Sequence, residues 1–185
     1  MLPIRRVTFT TPSDERARLL GEGKRLYESY LSQGDGDRVL EFVENQLAQT
    51  PERSDVIHDL LAFLAERMIE MNKEKQAEVR GFLKWLERYT GAEVDDLKNK
   101  TKLRVYHEHD LPVLLDVLRQ NRRKLGVDPA ARDVQEHVEK EFSNSMAKLT
   151  PLKAKIAATD RLIDLIVYQL YGLTDEEIAI VEESM

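Results

Sequence analysis

Apolar residues recur along this chain in steps of three and four, with most prolines and glycines falling between the periodic runs. The longest run covers residues 54–89: Ile57, Leu61, Leu64, Met68 and Met71, then Val79, Phe82, Leu86 and Tyr89. Those steps line one face of an α-helix, with Met68 and Met71 as core filling. Ser54 is placed to cap its start, and Asp55 lies in the first turn, where the helix dipole favours negative charge. Gly91 follows where a left-handed terminal residue is wanted. At 1.5 Å per residue the helix would span about 50 Å, so other segments must lie along it. The polar interval 72–76 (NKEKQ) contains no glycine or proline, which predicts one continuous helix rather than a hairpin.

The remaining punctuation predicts further helices. Residues 4–10 (IRRVTFT) have strand character but no partner strand, so they read as an extended arm or as a strand separated from its sheet. Thr11-Pro12-Ser13-Asp14 resembles a capped start, with Pro12 at the first helical position. That helix runs to about Gln33 on Leu19, Leu20, Leu26, Tyr27, Tyr30 and Leu31. A turn at 34–37 leads to a second helix over 37–49, and Thr50-Pro51 breaks it. Residues 92–109 have a weaker pattern. Asp110 and Pro112 then open a helix to Leu125, ended by Gly126. Asp128-Pro129 opens another, to about Lys148, on Val134, Val138, Phe142 and Met146. Thr150-Pro151 repeats the device and starts a last long helix over 151–171, which Gly172 ends. Thr174 with Glu177 forms a capping box for a short final helix. The predicted fold is all-α: an elongated helical bundle around one long helix, with an extended arm at 1–11. The helical domain at 12–185 divides, if at all, into sub-bundles at 12–91 and 92–185.

Composition agrees with that class. Of 185 residues, 42% are hydrophobic and 34% charged, with only 6% aromatic, as suits helices with long solvated faces. The net charge of −6 argues against a free-standing nucleic-acid binder, though not against a local basic patch. The absence of cysteine excludes disulfides and thiolate metal sites. No apolar run approaches the ~20 residues of a membrane span, and no signal-peptide core is evident, so a cytoplasmic protein without membrane partners is expected.

Candidate chemistry is sparse. His107-Glu108-His109-Asp110 is the densest set of metal-ligand types, but histidines two apart diverge on a helix, and the tract reads as a polar linker. His58 and His137 are isolated. Carboxylate clusters such as Asp95/Asp96 and Asp175/Glu176/Glu177 sit where helix starts want negative charge. There is no phosphate-cradling glycine loop and no nucleophile with a base beside it. The basic residues are more informative. Lys98, Lys100, Lys102 and Arg104 occupy every second position, and on an extended segment they would share one side, able to follow a phosphate backbone. Arg122, Arg123 and Lys124 add a second basic knot at a helix end, where the dipole also favours cations. The candidate phosphate contacts are therefore Lys98, Lys100, Lys102, Arg104, Arg122 and Arg123.

One stretch carries a resemblance. TDRLIDLIVYQLYGLTDEEIAIVE, residues 159–182, resembles the C-terminal end of large adenine-specific DNA methyltransferases, the type IIG restriction–modification enzymes and the methylases of BREX-type phage defence. Its heart is VYQLYGLTDEEIAIVE (167–182). The segments SDVIHDLLAFLAERMIEMNKEKQ (54–76) and DDLKNKTKL (95–103) are similar to further parts of those proteins. The resemblance implies a helical region associated with target specificity, packed on a methyltransferase core and supporting DNA recognition. The family uses SAM and an Asn-Pro-Pro-Tyr/Phe motif, and some members also cut DNA; neither that motif nor the glycine-rich SAM loop occurs here. No catalytic residue and no cofactor is therefore expected in this chain. It would be a fragment or split subunit whose partners are methyltransferase or restriction domains, with DNA and homodimer contacts open. The rival reading is a stand-alone helical interaction or dimerisation module with no DNA role; a third is a small enzyme using residues 107–110.

Overall fold

A computed structural model describes residues 7–183. Seven α-helices follow in order: α1 (Ser13–Gln33), α2 (Asp37–Leu47), α3 (Ser54–Thr90), α4 (Lys100–Arg104), α5 (Leu111–Gln120), α6 (Arg132–Tyr171) and α7 (Asp175–Glu183). Short 3-10 turns at Val94–Asp96, Tyr106–Glu108 and Arg122–Lys124 lie among α3, α4, α5 and α6. Among the described residues there is no strand, and no helix is long and apolar enough to cross a membrane. The all-α expectation holds. Of the strand-like tract, residues 4–6 lie outside the described residues and 7–10 form no regular element. Without a neighbouring strand their backbone groups have no ladder to join.

The periodicity of residues 54–89 produces one uninterrupted helix of 37 residues, and Gly91 takes the left-handed conformation (φ +71°) just beyond it. Ser54 is its first helical residue rather than its cap. The other long helix differs from expectation. Instead of two helices meeting at Thr150-Pro151, α6 runs for 40 residues with Pro151 in its interior. An interior proline forfeits a backbone bond and costs about 3 kcal/mol. Leu149, Leu162 and Ile166 on the same helix are at most 1% exposed, and burying each contributes about 1.5–3 kcal/mol, so continuity wins. The helix also starts later than Asp128, because the Asp128 carboxylate accepts the Ala130 N–H at 3.1 Å and closes a turn first. The capping box at α7 forms as read: Glu177 N–H donates to Thr174 Oγ1 at 3.3 Å, and Thr174 N–H donates to Glu177 Oε2 at 2.9 Å.

The chain groups into two compact units that are not consecutive halves. One comprises the chain through Ile69 together with the part from Lys155 onward; the other is Glu70–Ala154. In the first, Leu19 and Tyr27 of α1, Val39, Phe42 and Val43 of α2, and Val56, Ile57, Leu60 and Leu64 of α3 form one core with Leu162, Ile166 and Leu170 of α6. The fully buried Tyr27 hydroxyl and Thr159 Oγ1 are 2.8 Å apart, so each satisfies the other inside this core. In the second, Phe82 and Leu86 of α3 pack with Val94, Leu97, Leu103, Tyr106, Leu114, Val117, Leu118, Val138, Phe142 and Leu149. Phe82 stacks on Tyr106 with ring centres 4.1 Å apart.

Thr11 does not cap α1. Pro12 holds that position without a side-chain bond, while Thr11 donates its N–H (2.8 Å) and hydroxyl (2.7 Å) to the carboxylate of Asp55, which is fully buried. A buried charge needs such donors more than a helix end does. Phe9 lies edge-on to His58 at 5.5 Å and beneath the Arg16 guanidinium at 5.0 Å. Burial alone would raise the Asp55 pKa, but the bonds from Thr11 and Val56 more than offset it and hold the carboxyl below its usual range.

Leu64→Ala or Ile166→Ala is expected to lower unfolding free energy by about 2–5 kcal/mol in urea titrations; losses under about 0.5 kcal/mol in both would remove this packing from the account. Because Asp55 has a depressed folded pKa, its stabilisation is present above the unfolded value and is lost as pH falls through the folded one. Asp55→Asn should therefore cost about 1–3 kcal/mol at pH 7, where a carboxamide N–H meets the Thr11 donors. That gap from the parent protein should shrink as the medium is acidified below the ordinary aspartate pKa of 3.8.

Candidate anion-binding site

The site is built on one buried amide. Asn121, 3% exposed, follows the last residue of α5. Its Nδ2 donates to Val117 O at 2.8 Å and to Lys98 O at 3.1 Å, while its Oδ1 accepts the Lys98 N–H at 2.8 Å. At the end of α5 the Asn121 N–H bonds Leu118 O, and the Val117 carbonyl takes the Asn121 side chain instead. α5 stops at Gln120 rather than reaching Leu125. The same three bonds lash the backbone of Lys98 to the end of α5. Nearby, Asn99 Nδ2 donates to Gln120 Oε1 at 2.7 Å, and Lys124 Nζ donates to Asp96 O. Asn99 sits at φ 59°, a left-handed conformation that asparagine tolerates better than most residues. Gly126 N–H donates to Thr90 O at 2.7 Å, and a Cβ there would stand 3.3 Å from that oxygen, so the chain returns close beneath α3.

Two basic tracts far apart in sequence thereby share one concavity. A pocket of about 430 Å³ is lined by the cations Lys98, Arg119, Arg122, Arg123 and Lys124 and the amides Gln120 and Asn121, with no carboxylate in its wall. Arg119 pairs with Asp116 at 2.9 Å and Arg122 with Asp128 at 3.2 Å, both outside the lining. These arginines are about half or more exposed, and such pairs contribute only about 0–1 kcal/mol, so an anionic ligand can replace them. Among the described residues, no carboxylate pairs with Lys98 or Arg123.

The structure divides the residues singled out from sequence. Lys98, Arg122 and Arg123 come together. Lys100, Lys102 and Arg104 do not join them, because residues 100–104 form α4 instead of an extended segment. On a helix advancing about 100° per residue, alternate positions point apart. Lys100 and Arg104, four apart, both turn to Asp95: Lys100 Nζ lies 4.0 Å from its carboxylate, and Arg104 hydrogen-bonds it. Exposed Lys102 lies elsewhere on the helix. Arg119 and the Asn121 bracket are the parts that sequence reasoning misses. The i, i+3, i+4 spacing of Arg119, Arg122 and Arg123 is a visible signal; the role of Asn121 has none.

The tract at 107–110 is a structural clasp. Lys153 Nζ donates to His107 O at 3.1 Å and Glu108 Oε2 at 2.6 Å. His107 Nδ1 lies 2.8 Å from Glu108 Oε1. Burial pushes the imidazole pKa down despite that carboxylate, and the Lys153 bond holds Glu108 below its usual range. The neighbouring Tyr106 hydroxyl, 2.6 Å from Ser145 Oγ, is pushed up to about 12 by burial and stays protonated. Among the described residues no three His, Asp or Glu side chains gather to hold a metal. His58 contacts Asp59 at 3.2 Å, and His137 stacks on Tyr89 with ring centres 5.3 Å apart. A larger pocket of about 560 Å³ mixes Lys84 and Arg88 with Glu87 and Glu93, and its charges largely compensate one another.

Fold and site together define an all-α protein with a solvent-facing cationic pocket. The chain belongs to the family described as a domain of unknown function, DUF8810, which matches residues 43–167 and so takes in the whole pocket. No curated protein and no solved structure matches it.

Asn121→Ala should cost about 1–3 kcal/mol, since it leaves the Lys98 backbone groups unpaired. Denaturant unfolding reads the loss; a change within about 0.3 kcal/mol would mean that the bracket does not hold the two tracts together.

Proposed function

We propose that this chain is a non-catalytic helical region of a restriction–modification or phage-defence adenine-specific DNA methyltransferase, present as a fragment or split subunit and placing its cationic pocket against DNA phosphate. The carrying observation is the convergence of five cations from separate tracts on one carboxylate-free pocket, in a chain whose net charge is −6. Gathering like charges costs self-repulsion that an anion relieves. The likeness of residues 159–182 to the methyltransferase C-terminal end supports the assignment to that enzyme class. In this reading the methyltransferase core, with its SAM, is the partner that supplies the chemistry, and the complex works in the cytoplasm. The helices here supply packing surface and phosphate contact.

Binding of a short linear duplex carrying 5′-phosphates, measured across a salt series, tests the reading. The logarithm of the association constant should fall linearly with the logarithm of salt, and Lys98→Ala with Arg123→Ala should reduce that slope by about 1.8, or roughly 0.9 per lost contact. A slope that the double variant leaves unchanged would place the contact elsewhere, and no salt-dependent binding at all would overturn the DNA role.

A further inference from the structure

We infer that the pocket at the end of α5 takes a phosphoryl group carrying two or more negative charges, as found at a phosphorylated strand end or in a polyphosphate chain, rather than the internal diesters of a duplex. This rests on the phosphate-binding reading above and narrows it.

The cations are arranged around a hollow, not along a line. Arg119, Arg122 and Arg123 line it from one turn-and-a-half of chain, the first two with guanidinium groups also paired to the exposed Asp116 and Asp128, Lys98 lines it from the other tract, and Lys124 is tethered beside it through Asp96 O. Internal diesters bring one charge per phosphate and are spread along the helix axis. A terminal phosphomonoester brings about −1.5 to −2 at neutral pH on a single group. A convex duplex meets only the rim of a concave site, whereas a strand end or a polyphosphate can enter. The volume of about 430 Å³ lies within the range of ~300–1,000 Å³ usual for small-ligand pockets. Gln120 adds a directed neutral donor: its Oε1 is occupied by Asn99, which turns its NH₂ group away from that bond and leaves it to donate. Arginine forks suit the several oxygens of one phosphoryl group, because each can donate two parallel bonds. The pocket is also held open independently of ligand, since Asn121 spends its whole amide on Lys98 and Val117.

Calorimetric titrations at one fixed ionic strength test this with four probes: inorganic tripolyphosphate, a single-stranded oligonucleotide with a 5′-phosphate, the same oligonucleotide with a 5′-hydroxyl, and closed-circular duplex DNA. The expected result is one-to-one binding of tripolyphosphate, or at least tenfold tighter binding of the 5′-phosphate strand than of its hydroxyl counterpart. The first outcome assigns the site to polyphosphates, the second to strand ends. Arg123→Ala should weaken the responding probe at least tenfold, and Arg132→Ala, which removes an equal, exposed charge at the start of α6, should not. Binding of the closed circle with no response to tripolyphosphate and no preference for the 5′-phosphate would overturn this inference while leaving DNA phosphate contact intact. If no probe bound, both would fall.

Discussion

Keeping the apolar stripes of α3 and α6 out of water is the constraint on which everything else depends. Helices of 37 and 40 residues cannot cover their own leucines, so each needs neighbours along its length. In the unit containing the first part of α3, the cover comes from α1, α2 and the last part of α6. In the other unit it comes from α5, the first part of α6 and the short turns between α3 and α5. The demand is strong enough to carry α6 through Pro151, where local preference alone would end a helix.

Polar groups follow from that burial. At three places where a core closes over a charge or a hydroxyl, a donor or acceptor is brought to it: Thr11 to Asp55, Thr159 to Tyr27, Ser145 to Tyr106. Asn121 belongs to the same class but has a wider consequence. A buried amide with three good bonds ends one helix and ties a distant basic residue beside it. Structural bonding thereby sets the geometry of the cationic pocket. Its cations remain exposed while the amide beneath them is buried.

The carboxylates show the opposite disposition. Asp95, Asp116 and Asp128 each take a cation at or beyond the rim, and none enters the pocket wall. The acidic total and the basic hollow are thus compatible, because charge is separated by position rather than balanced within the site. In the 107–110 tract, by contrast, Glu108 is closed on Lys153 and on the His107 ring.

Helical class, the continuity of residues 54–89, the turn at Gly91 and the α7 capping box were all readable from spacing and punctuation, because each is a local matter of periodicity, dihedral preference or caps within a few residues. The basic tracts were readable as composition, and four of their members (Lys98, Arg122, Arg123 and Lys124) belong to the pocket. Their geometry was not readable. An alternating run of lysines does not reveal whether its backbone is strand or helix, and burial of Leu103 made it helix, which sent Lys100 and Arg104 to Asp95. Likewise nothing local marks Asn121 as the residue that binds Lys98, or Pro151 as tolerated within a helix. Those outcomes depend on contacts between residues far apart in the chain, where the free energy of burial outweighs what each segment would do alone.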